Sequence, residues 1–266
     1  MSTLLPILFV ISLWWAGTAL ILMGVHRPVR HHLGMAQIMT LGTAALTALI
    51  VPMGTVTSPW AAFASFAMGI ALWAWHEMMF LFGYISGPRK SPCPQNINMG
   101  KRFILSTQTV IHHEVMIAIH AAILIALSWG AANSLACQTF LLLWLMRMST
   151  KLMLFFGAPN IADHFLPAHL SYLASYFRKE RNQAVSLLAL CLAITITVSM
   201  GYGAYLADTG SFAWIGFVLL TSLAALAVLE HLALALPLGE SVMWEWAIGH
   251  RNTSMTTTSK TEMRGP

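Results

Sequence analysis

Seven apolar stretches, each close to the length that crosses a bilayer, leave this chain little choice of fold. They run from Leu4 to Val25, Met35 to Met53, Trp60 to Ile85, Phe103 to Trp129, Ser134 to Phe156, Gln183 to Leu206 and Phe212 to Leu236. A spanning helix needs about 20 such residues and must satisfy its own backbone polar groups, because hydrocarbon offers no partner. With 58% apolar and 9% charged residues and a mean hydropathy of +0.71, the chain is far from the composition of an ordinary soluble domain. The expected fold class is therefore all-α, a polytopic bundle of seven transmembrane helices over residues 1–248. The remainder, 249–266, is rich in Thr, Ser and Lys and reads as a disordered tail. The first run lacks a basic leader and a small-residue cleavage site, so it reads as a retained span.

Lys and Arg set the expected orientation. Arg27 and Arg30 follow the first run; Arg89, Lys90, Lys101 and Arg102 follow the third; Arg178, Lys179 and Arg181 follow the fifth. The alternate connections carry none, and Arg251, Lys260 and Arg264 come after the seventh. A periplasmic N-terminus and a cytoplasmic C-terminus satisfy the positive-inside rule at every loop. The net charge of +5 is thus spread over loops, which argues for contact with a lipid bilayer and against a nucleic-acid partner. Between the fifth and sixth runs, Leu166, Leu170, Leu173, Tyr176 and Phe177 follow Pro167 at helical spacing, predicting a short interfacial helix near 165–178.

Against this background the ionisable residues inside the runs stand out: His76–Glu77, His112–His113–Glu114 with His120, and Glu230–His231. Asp163, His164 and His169 lie in the connection. Each such group in hydrocarbon costs about 2.5 to 3.5 kcal/mol on insertion scales, which calls for partners inside the bundle. The orientation places them at compatible depths toward the cytoplasmic side, with His120 a little past the middle, so one shared site is the economical reading. Imidazole with carboxylate suits iron or another transition metal, as one ion or two. The candidate metal residues are His76, Glu77, His112, His113, Glu114, His120, Asp163, His164, Glu230 and His231. The spacing does not reproduce the Glu-x-x-His motif of di-iron bundles or the histidine boxes of membrane desaturases.

Blander roles compete at several positions. Arg147 and Lys151 read as counter-ions for Glu77 or Glu114, or as side chains that snorkel to the interface. His26, His31 and His32 read as interfacial residues beside basic anchors, and Trp14, Trp15, Trp60, Trp129 and Trp244 as an aromatic belt. Trp73 and Trp75 precede His76 within a run and could face a planar ligand. The cysteines Cys93, Cys137 and Cys191 form no disulfide frame or zinc motif.

Five stretches carry a resemblance to a known family: LWWAGTALILM in the first run, WAWHEMMFLFGYISGPRKSPCP from Trp73 to Pro94, IHHEV from Ile111 to Val115, GAPNIADHFLPAHLSYLASYF from Gly157 to Phe177, and LEHLALALPL from Leu229 to Leu238. Over about residues 4–246 the chain resembles the PuhE family of photosynthetic-complex assembly proteins of purple and related phototrophic bacteria. The resemblance implies a multi-pass protein of the bacterial inner, photosynthetic membrane. It further implies work in assembling reaction-centre and light-harvesting complexes and in bacteriochlorophyll supply, with assembly components or pigment-synthesis enzymes as partners. It brings no established reaction. His164 stands where the family pattern carries a Glu.

Two functional classes follow. In one, the protein is a non-catalytic assembly factor whose histidines bind bacteriochlorophyll or a precursor through magnesium, or contact partner helices. In the other, it is a membrane non-haem iron oxidoreductase acting on a tetrapyrrole or another lipophilic substrate, fed by an external electron donor at the basic face. Haem, with His76 or His231 opposite His113 or His120, leaves the neighbouring carboxylates unexplained. A retinal-type pump is disfavoured because the seventh run has no Lys.

Overall fold

Four of the long helices begin where a Ser or Asn oxygen can replace a missing backbone partner. Ser58, Asn98, Asn182 and Ser211 accept from the amides of Ala61, Lys101, Val185 and Trp214 respectively. The computed structural model describes residues 3–161, 166–180 and 182–236, and in that portion the chain is helical with no strand. The long elements are α1 (Leu4–Val25), α2 (His32–Ala48), α4 (Pro59–Leu81), α5 (Met99–Leu127), α6 (Leu135–Phe156), α7 (Gln183–Leu206) and α8 (Phe212–Ala235), with a single turn α3 (Ile50–Met53) after α2. Short 3-10 helices cover Val29–His31 and Ala168–Tyr176. The disordered tail expected over 249–266 lies outside the described residues.

Five helices, α1, α5, α6, α7 and α8, are long and apolar enough to cross a membrane, which makes this a multi-pass membrane protein. Their outward residues are apolar, as at Leu188, Val198 and Ile119, so the faces turned away from the bundle match lipid rather than water. The other two expected spans are helical as well. One, α4, carries His76 and Glu77; the other is divided at Leu49 into α2 and α3. Pro52 explains the division, because it has no amide hydrogen to give the Ala48 carbonyl and its ring crowds that position.

Helix α4 packs on α1, α2, α5, α6 and α8, while α8 packs on α1, α4, α6 and α7. These two therefore form the middle of the bundle. Gly69 lets the backbones of α4 and α6 meet: a Cβ there would lie 2.6 Å from the Ala136 carbonyl oxygen and from Thr139 Cβ. The C-terminus of α4 turns on Gly83 at φ 79°, with Tyr84 N–H bonded to Met79 O at 3.1 Å and Gly83 N–H to Phe80 O at 2.9 Å. That is a Schellman stop.

The connections knit into two groups. At one end Asn133 joins the α5–α6 connection to the start of α4, donating from its side chain to Val56 O at 3.0 Å and Ser65 Oγ at 2.8 Å. At the other end the α4–α5 connection meets the stretch after α6. Cys93 N–H donates to Ser175 Oγ at 2.8 Å, Arg89 Nε to Tyr176 Oη at 2.5 Å, and Arg102 to the Tyr176 carbonyl. Residues Ala168–Tyr176 bury Leu170, Tyr172, Leu173 and Tyr176 in the protein.

Candidate functional site

Hydrogen-bond directions decide what the buried histidines can do. The Thr47 hydroxyl has one proton and sits 2.8 Å from the Thr43 carbonyl, which can only accept, so that proton is committed. Its 3.2 Å contact with His120 must then run from His120 Nε2–H to Thr47 Oγ1. His120 Nδ1 is thereby left as an acceptor, and the 2.8 Å contact with His76 runs from His76 Nε2–H to His120 Nδ1. A directional row crosses from α2 through α5 to α4 and ends at the bare lone pair of His76 Nδ1, which is buried and has no hydrogen-bond partner.

His113 stands beside this row, its ring centroid 6.4 Å from that of His76 and 4.7 Å from that of Phe80. The residue is only 1% exposed, and neither ring nitrogen has a partner. Its position is fixed by an unusual docking of loop on helix. Ser86 O accepts from His113 N–H at 3.0 Å, and Arg89 N–H donates to Gln108 O at 3.3 Å, so the connection after α4 lies backbone to backbone along α5. Only glycine fits at position 87, where any Cβ would collide with the Gln108 and Thr109 backbone.

The carboxylates belong to a second, adjoining layer. Arg147 of α6 donates to Glu77 Oε2 at 3.3 Å, and Lys151, one turn on, pairs with Glu114. Trp144 Nε1–H adds a 3.2 Å bond to Glu114 Oε2. Glu230 of α8 also lies within electrostatic range of Arg147, and both cations lie within range of His113. The counter-ion reading of Arg147 and Lys151 thus describes the geometry: Glu77 meets its cation through Oε2, its Oε1 being buried without a partner, and Glu114 meets Lys151 and Trp144.

The other candidates disperse. His231, fully buried, donates from Nδ1 to Ala227 O at 2.7 Å, so its Nε2 accepts from Ser149 Oγ at 2.9 Å and the ring is saturated. His112 is exposed on the outer face of α5, about 100° around the helix from buried His113. Asp163 and His164 lie outside the described residues. Among the described residues, no three or more His, Cys, Asp or Glu are arranged to hold a metal ion. Among the described members of the set expected from the sequence, α4 and α5 bring His76, His113 and His120 together, while Glu77 Oε2, Glu114 and His231 have other partners. Of these groups, the unpartnered nitrogens of His76 and His113 and the unpartnered Oε1 of Glu77 are the atoms chemically suited to a metal.

Several residues surprised the sequence reading. His32 is buried, stacked on Phe82 at 4.2 Å and donating to Arg27 O at 3.0 Å, so it closes the α1–α2 corner rather than lying at an interface. His169 Nε2–H donates to Leu81 O at 3.0 Å and helps finish α4. Trp73 is in the core against Phe140, and Trp75 donates to Thr40 Oγ1 at 2.9 Å. Thr40 and Thr47, two turns apart on α2, were the available signal for a polar stripe facing α4 and α5.

These features define a class: a helical multi-pass membrane protein with a polar layer inside its bundle. The chain belongs to a family of proteins of unknown function (DUF3623), which matches residues 1–255. It is 38% identical over 185 residues to an uncharacterized 30.4 kDa protein in the puhA 5′ region of Rhodobacter capsulatus, covering 69% of this chain and 67% of that one. No solved structure matches it.

Proposed function

We propose that this protein is a membrane factor for assembly of the bacterial photosynthetic apparatus, of the PuhE kind, with seven spans, a periplasmic N-terminus and a cytoplasmic C-terminus. The observation that carries the reading is the relative in the puhA 5′ region, a photosynthesis locus. The two groups of connections support the topology. Arg89, Lys90, Lys101, Arg102, Arg178 and Lys179 gather where the α4–α5 connection meets the stretch after α6, and the opposite connections 54–58 and 128–134 have no Lys or Arg. The inner membrane is the expected location, and reaction-centre or light-harvesting components or pigment-synthesis enzymes the expected partners.

In this reading the ion pairs hold α4, α5 and α6 in register, and the imidazole row adds α2. Deleting the gene from a phototrophic host and recording near-infrared spectra of its membranes tests the proposal. Reaction-centre and light-harvesting bands should fall severalfold and return with the intact gene; unchanged bands would sink it.

A second reading, a membrane metal oxidoreductase, is favoured by one observation, the three unpartnered buried ring nitrogens of His76 and His113. Those two residues would hold iron or another transition metal, which when bound would supply redox chemistry. Glu114 would keep Lys151 and stay outside the ligand set. Metal analysis of protein purified in mild detergent should find near-stoichiometric metal that His113→Leu abolishes and Glu114→Gln leaves in place. Metal-free wild-type protein removes this reading.

A further inference from the structure

Among the described candidate histidines, His112 is the one that the bundle turns outward. It is the fourteenth residue of the 29-residue α5, and so lies about 20 Å along a helix roughly 43 Å long, within the apolar belt. On the same face stand Ile104, Val115 and Ile119, which are 59%, 46% and 51% exposed. No described side chain bonds to the ring, although an imidazole among aliphatic side chains in hydrocarbon is costly enough to call for a partner. A second helix bringing several hydrogen-bonding groups would find only one nitrogen-bearing ring at this depth. A ligand with one open coordination position needs no more.

A second feature lies on the same helix face. One turn toward the basic end, about 6 Å along the axis, is Gln108, and it borders a cleft of about 410 Å³ lined also by Pro88, Arg89, Lys90 and Ser91. Arg89 is tied to Tyr176 and to the Pro92 carbonyl, whereas Lys90 is exposed with no bonded partner among the described residues. An apolar strip, a single axial donor and a cationic mouth at one end together describe a flat hydrophobic metal chelate with a carboxylate arm. Magnesium tetrapyrroles that have not yet been esterified have that form: four ring nitrogens fill the equatorial positions, one axial position stays open, and a propionate is free.

We propose that the outer face of α5 binds a magnesium tetrapyrrole with a free carboxylate, His112 ligating the magnesium and Lys90 meeting the carboxylate. The site rests on the assembly reading, since it presumes that pigment or its precursor is present in the same membrane. It is separate from His76 and His113, which face the bundle interior.

The test is a titration of the full chain in lipid nanodiscs with bacteriochlorophyllide, following the near-infrared band and magnetic circular dichroism. Wild-type protein should shift the band and saturate. Magnesium-free bacteriopheophorbide should bind at least tenfold more weakly, as should bacteriochlorophyllide to His112→Leu; His31→Leu should behave as wild type. Lys90→Gln should weaken bacteriochlorophyllide several-fold and leave esterified bacteriochlorophyll unchanged. His112 is exposed, so its Leu variant should fold, and an unaltered melting temperature checks this. Equal binding of the magnesium-free pigment, or wild-type binding by His112→Leu, overturns the site. If phototrophic growth requires the gene but is fully restored by the His112→Leu gene, the site falls and the assembly reading stands; if deletion leaves the complexes intact, the assembly reading falls whatever the titration gives.

Discussion

Glu77 and Arg147 are each poorly tolerated alone in the bundle and acceptable together. Removing one partner of a buried pair leaves an uncompensated charge, worth about 3 kcal/mol at the low end of the usual range, and Arg147 is partly exposed, which argues for that end. Glu77→Gln should therefore lower the detergent melting temperature clearly, and the double variant Glu77→Gln/Arg147→Gln should recover most of the loss. A double variant no better than the single would mean that the pair is not the source. Ser149→Ala should cost about 1–2 kcal/mol, because His231 Nε2 then loses the hydroxyl that serves it and is left buried without a donor. Thermal unfolding checks this too, with Ser199→Ala on α7, whose hydroxyl bonds only within its own helix, as the control. At this scale the sequence disclosed which residues were costly and which cations could neutralise them. It did not disclose that His113 turns in and His112 out, since that depends on the 100° between neighbours and on where α4 and α6 happen to lie.

At the scale of elements, boundaries were the most legible feature. Leu4–Val25 and Gln183–Leu206 are α1 and α7 to the residue, whereas Asn98, five residues before the expected start at Phe103, caps α5 at Met99, and Pro52 divides the second run, both through local backbone chemistry. Less legible was the docking of the α4–α5 connection on α5, which is made by backbone groups that carry no side-chain signature beyond Gly87. Gly87→Ala should force that connection away from Gln108 and Thr109. The expected result is faster thiol labelling of Cys93, whose amide is tied to Ser175 through the same connection, together with a lower melting temperature. An unchanged labelling rate would show that the connection stays docked without the glycine.

For the whole molecule, hydropathy made five of the expected spans readable as helices of membrane length, but it could not say which helices touch. The central position of α4 and α8 comes from close approaches such as Gly69 against α6 and Gly203 against Phe217 of α8, which are properties of pairs of surfaces. The topology itself is open to direct measurement. In a cysteine-free background, single cysteines at Ala131 and Asp208 should react with a membrane-impermeant maleimide added to spheroplasts. Cysteines at Lys90 and Glu180 should react only after permeabilisation. Labelling of all four from one side would refute the seven-span arrangement.

The Thr47–His120–His76 row has a further consequence in polarisation. His120 and Thr47 each accept one bond and donate the next, so the bond dipoles align and each hydrogen bond strengthens its neighbour. The alignment leaves the row's unused acceptor at His76 Nδ1, inside the bundle. Its direction is dictated from the far end, by a main-chain oxygen at Thr43 on a different helix. The direction in which the innermost imidazole of α4 presents its lone pair is thus written into the backbone of α2.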